Sequence, residues 1–79
     1  ITAAHVRERL QTVPFQPFRI VTSSGQSYEV THPDSVLVTK QILYVGIYKD
    51  HRPDLPDRAA SVSMLHVADL QPLLSDAIA

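Results

Sequence analysis

The chain has 79 residues, which is one domain at the usual size of roughly 100–200 residues. It is 44% apolar and 19% charged, the balance of a globular protein rather than a disordered one. Seven Lys and Arg against eight Asp and Glu give a formal net charge of −1, a poor electrostatic footprint for nucleic acid, which calls for a basic surface. The absence of cysteine excludes disulfides and thiolate metal sites.

A domain this small buries only about 60–65% of the surface its unfolded chain exposes. Its expected stability is about 4–12 kcal/mol. Without covalent staples, self-association is a natural way to gain buried area. No apolar run reaches the length of a membrane span, so a membrane is not an expected partner. No basic region followed by an apolar stretch opens the chain, so no secretory signal is read and the cytoplasm is the expected compartment.

Residues 3–12 read as a helix with Thr2 as N-cap. Val6 and Leu10, with Ala3 a turn earlier, form a narrow apolar stripe. Pro14 ends the helix, because the residue before a proline is driven out of the α region. So short a helix must dock to be stable. Pro14-Phe15-Gln16-Pro17-Phe18 then forms a stiff connector with φ set at two points. Phe15 and Phe18 are the only phenylalanines in the chain, and both are expected to anchor the core.

Residues 18–22 read as a strand with Phe18 and Ile20 on one face. Ser23-Ser24-Gly25-Gln26 forms a hairpin loop, in which Gly25 is free to take positive φ. The returning strand, 27–31, points Tyr28 and Val30 inward and Glu29 outward. His32-Pro33-Asp34 breaks it. A third strand covers 36–39 and a fourth 42–48. The fourth carries Leu43, Val45 and Ile47 on one face, with Ile42, Tyr44 and Tyr48 on the other, so it reads as a central or covered strand. Residues 49–58 form a polar, mobile loop containing two prolines. A fifth strand spans 60–67. Asp69 is placed to cap a short helical turn, with Leu70, Leu73 and Leu74 sealing one end.

The resulting class is α+β, mainly β: a short N-terminal helix followed by a five-strand antiparallel meander closing into a small, partly open barrel. This order is similar to the Sm-like and other SH3-like barrels, and Met64-Leu65-His66-Val67-Ala68-Asp69-Leu70-Gln71-Pro72 is loosely similar to the way Sm-like chains end. The Asp and Asn signature of Sm-like RNA contacts is missing, so RNA binding does not carry over. Val6-Arg7-Glu8-Arg9-Leu10, Pro14-Phe15-Gln16-Pro17-Phe18-Arg19-Ile20, Gly25 and Val30-Thr31-His32-Pro33-Asp34 together resemble a family of short bacterial proteins of unassigned function. That resemblance covers the first half of the chain and implies no activity.

Candidate chemistry is sparse. The four histidines are separated by 27, 19 and 15 residues, which matches no common zinc spacing. His32-Pro33-Asp34 is the best local constellation. It pairs an imidazole with a carboxylate in the manner of a general base, or else forms a turn in which Asp34 accepts backbone N–H bonds. No serine lies in a nucleophile-elbow setting, and two glycines cannot build a phosphate-cradling loop. No catalytic residue, cofactor or metal ligand is assigned, and an enzyme is not expected.

The surface residues singled out are His32, Asp34, Lys49, His51 and Arg52, because polar loops on a rigid scaffold commonly carry recognition. The expected function is a non-catalytic interaction or assembly module. It self-associates through strand edges or takes an unknown protein partner. Two alternatives remain open. One is nucleic-acid binding, if Arg7, Arg9, Arg19, Lys40, Lys49, Arg52 and Arg58 gather on one face. The other is a small enzyme or metal site around His32 and Asp34.

Overall fold

The computed structural model describes residues 1–49 and 55–73. It contains one helix, α1 (Ala3–Gln11), and six strands: β1 (Phe18–Thr22), β2 (Ser27–Val30), β3 (Val36–Val38), β4 (Ile42–Ile47), β5 (Arg58–Ser63) and β6 (Val67–Pro72). Two three-stranded antiparallel sheets form, in the orders β2-β1-β6 and β3-β4-β5. This corrects the sequence expectation in two respects. Among the described residues there are six strands rather than five, and the sheets do not close into a barrel.

The helix begins where Thr2 predicts. The Thr2 N–H donates to His5 Nδ1 at 3.1 Å, so an imidazole takes the place that Glu or Gln holds in the usual reciprocal cap. Val6 is the one fully buried helical residue, with Ala3 and Leu10 packed at the margin of the core. After the helix, Phe18 is fully buried while Phe15 is half-buried beside it. Their rings meet edge-on, with centroids 6.2 Å apart. Both aromatics therefore serve the core, to different degrees.

The first hairpin follows from its turn chemistry. The Thr22 N–H donates to the Gln26 carbonyl and the Gly25 N–H donates to the Thr22 carbonyl. Gly25 sits at φ 91°, the left-handed position that a three-residue loop with a glycine bulge requires. Thr22, itself buried, accepts the Gln26 N–H through Oγ1 at 3.1 Å. Across the hairpin, Arg19 and Glu29 are register partners joined by a 3.2 Å ion pair.

The His32 break is a 3-10 turn over Pro33–Ser35 that joins β2 to β3. β4 is the central strand of its sheet, as its two apolar faces predict. Leu43 and Val45 are fully buried, while Tyr44 stays exposed on the outer face opposite Leu37.

The largest departure from the sequence reading lies after residue 57. β5 begins at Arg58 and stops at Ser63, where residues 60–67 were expected to run as one strand. Met64–His66 form a second 3-10 turn, with Ser63 Oγ accepting the Leu65 N–H. The three-residue period of such a turn puts Met64 and Val67 on the same side, and both are buried while Leu65 is 91% exposed. The segment from Ala68 on, expected to turn off the sheet, instead continues Val67–Pro72 as a full strand beside β1. Leu70 is a buried residue of that strand rather than an end seal. Leu74 lies outside the described residues.

Among the described residues eleven buried apolar side chains form one core between the sheets, of which Val6, Phe18, Ile20, Val30, Leu43 and Val45 are fully enclosed. No described helix is long and apolar enough to cross a membrane.

Candidate functional site

Of the residues singled out from sequence, His32 and Asp34 are exposed at the β2–β3 turn and Lys49 is exposed after β4. His51 and Arg52 lie outside the described residues. The 3-10 turn at His32 is closed by Ser35, not by Asp34. The Ser35 N–H and Oγ both donate to the His32 carbonyl, at 3.1 and 2.8 Å. The His32 ring instead faces Tyr48 edge-on, with centroids 6.4 Å apart. Among the described residues no hydrogen bond joins His32 to Asp34, and no cluster of three metal-ligating side chains occurs.

Lys49 marks the neck of the polar loop. Its N–H donates to the Asp57 carboxylate at 2.6 Å, and the Asp57 N–H donates to the Ile47 carbonyl at 2.8 Å. Asp57 thus ties both limbs of the loop together before β5 begins. Gly46 is needed nearby. A Cβ there would stand 3.2 Å from Pro56 Cβ and 3.3 Å from the Ser35 carbonyl, closer than ordinary van der Waals contact.

A groove of about 580 Å³ opens where the free side of β2 meets the C-terminal half of β4. Val45 and Ile47 line its apolar part, with Tyr28, His32, Tyr48 and Arg58 around them. Among the described residues of the surface set singled out from sequence, His32 alone lines this groove. The cations do not act alike: Arg19 is engaged by Glu29 on the outer face of β1–β2, while Arg58 lines the groove at the start of β5.

The second feature is the state of the strand edges. In an antiparallel ladder, alternate residues turn their N–H and C=O toward opposite neighbours. The Thr39 N–H donates to the Ile42 carbonyl, so Ile42 faces β3. The Met64 N–H donates to the Gln41 carbonyl, so Gln41 faces β5. By alternation Leu43, Val45 and Ile47 bond toward β5. Their register partners Val62, Ala60 and Arg58 are the residues whose backbone is used. The backbone groups of Ala59, Ser61 and Ser63 point away from the sheet. Ala59 and Ser61 are exposed, and residues 59–63 carry neither charge nor proline. Among the described residues β5 is thus an edge without the charges and prolines that usually blunt one.

The other edges differ. β3 is only three residues long and lies against α1. β2 borders the groove and carries Glu29. Sequence reasoning named strand edges in general but missed β5, because its small polar residues show no pattern until the pairing of β4 shows which side is unpartnered.

Comparison with protein-family models, with curated proteins and with solved structures finds no match to this chain.

Proposed function

We propose that this chain is a non-catalytic interaction module that self-associates through a strand edge. The observation that carries the reading is β5. It offers a row of outward N–H and C=O groups beside exposed Ala59 and Ser61, with no charge or proline between residues 59 and 63. Unpaired backbone groups are strong hydrogen-bonding partners, and a second strand satisfies them without any special side-chain chemistry.

An open small-barrel architecture, in which the two sheets stay unclosed, gains support from the chain path. β2 and β3 follow one another around a single 3-10 turn and belong to different sheets. A long strand bent at a barrel corner would take this course. An SH3-like or Sm-like architecture, a bacterial origin and a cytoplasmic setting belong to the same proposal.

Sedimentation velocity across a concentration series tests the reading. A species heavier than one chain, growing with concentration, is expected. A strictly monomeric species at high micromolar concentration would sink it.

A further inference from the structure

We infer that the partner strand is β5 of a second copy, paired antiparallel about a two-fold axis through Ser61. The product is one continuous sheet of six strands, in which two copies of β3-β4-β5 meet at their β5 edges. The inference rests on the self-association reading above and adds the edge, the symmetry and the register.

The first argument is elimination of β6, the other long free edge. The Ser23 N–H donates to the His66 carbonyl and the Leu73 N–H to the Pro17 carbonyl. Odd-numbered residues of β1 therefore bond toward β6, through their partners Asp69 and Gln71. Residues 67, 70 and 72 are left on the outer side, and each lacks a free donor. The Val67 N–H donates to the Met64 carbonyl within the 3-10 turn. The Leu70 N–H donates to Asp69 Oδ1 at 2.8 Å. Pro72 has no N–H. Ala68 falls in the bulge opposite Val21 and Thr22. β6 is a blocked edge, so a head-to-tail chain of β5 on β6 lacks the donors it would need.

The second argument is self-complementarity. An isologous contact places residue i against j and j against i. About Ser61 the facing pairs are Ala59 with Ser63 of the second copy, Ala60 with Val62, and Ser61 with Ser61. None brings like charges together, and Arg58 falls opposite Met64. Small side chains at 59, 61 and 63 on the outer face let the two backbones approach. Two copies of β2 centred on Glu29 would instead face two carboxylates across the axis. The Ser61 backbone groups point outward, so Ser61 and its counterpart form a hydrogen-bonded pair. The Cα atoms of such a pair lie about 5.5 Å apart, within the range a disulfide spans.

The chain contains no cysteine, so introduced thiols report the register cleanly. Under mild oxidation Ser61→Cys is expected to form a covalent dimer. A mixture of Ala59→Cys and Ser63→Cys is expected to cross-link, while Ala59→Cys alone is not, because two copies of residue 59 stand about 13 Å apart along the strands. Ser27→Cys on β2 serves as the collision control. In parallel, Ser61→Pro removes two intermolecular hydrogen bonds without touching the β4 ladder, and Ser61→Lys sets two cations face to face. Each is expected to weaken dimerisation roughly tenfold or more in sedimentation, and circular dichroism reports whether the fold is kept. If Ser61→Pro fails to fold, Ser61→Lys and the cross-links decide.

A wild-type dimer that ignores Ser61→Lys, with Ser61→Cys cross-linking no faster than Ser27→Cys, overturns the β5 register while self-association stands. A wild-type protein that stays monomeric removes both.

Discussion

Replacing Phe18 with alanine probes the core at its most enclosed aromatic. The ring is fully buried, and β1 holds its backbone between Val30 on one side and Pro72 on the other. Truncating such a side chain loses its transfer free energy and leaves a cavity, at about 3–5 kcal/mol. Against a total stability of about 4–12 kcal/mol for a chain of this length, that is a large fraction. At about 4–8 °C per kcal/mol for a domain of this size, the melting temperature falls by roughly 12–40 °C.

Phe15 supplies the comparison. It packs against the core but remains partly exposed, so Phe15→Ala is expected to cost only about 1–2 kcal/mol of lost burial. The edge-on contact at 6.2 Å couples the two rings. The double variant should therefore fall short of the sum of the singles by about 0.5–1.5 kcal/mol. Urea unfolding followed by circular dichroism reads all three numbers, provided the m-value stays constant. Equal losses at the two positions, or strict additivity, would refute the assignment of Phe18 as central and Phe15 as its flanking partner.

Three further outcomes follow from local geometry. Gly25→Ala meets no atom within 4 Å but must hold φ near 91°, so it should lower stability by about 1–2 kcal/mol through conformation alone, with Gly25→Asn milder; equal effects in thermal melts would contradict this. The Arg19–Glu29 ion pair is partly exposed on both sides, so removing either partner should change stability by less than about 1 kcal/mol, and less again in high salt; a large, salt-independent loss in urea titrations would show the pair matters more than its exposure implies. Asp69→Ala combined with Pro72→Val frees donors on β6, and light scattering should then record species larger than the wild type forms; an unchanged mass would mean that Asp69 and Pro72 do not guard that edge.

The sequence by itself determined the local elements whose causes are local. Thr2 and Pro14 bound the helix, Gly25 specifies the hairpin, and the period-two pattern of Phe18, Ile20, Leu43 and Val45 identifies the core faces of β1 and β4. It also read β4 as central or covered from its two apolar faces, and the pairing makes it central. The break at His32 was visible too, because proline removes a donor and fixes φ. Its closure by Ser35, rather than by Asp34, depends on a three-dimensional turn.

What the tertiary structure decided is non-local. Residues 60–67 alternate well enough to read as one strand, yet Met64 and Val67 both face the core, and a 3-10 turn over Met64–His66 puts them on the same side. Asp69 and Pro72 look like signals for leaving the sheet. Beside β1 they become the groups that occupy or delete the outward donors of β6. Which of two free edges is open and which is blocked depends on pairing partners elsewhere in the chain, β4 for β5 and the distant β1 for β6. No local pattern of Ala59-Ala60-Ser61-Val62-Ser63 encodes it. The surface residues chosen for their polarity fared accordingly: His32 found a groove with Tyr48, while the edge that carries the proposed function is made of residues too small and plain to draw notice in the sequence.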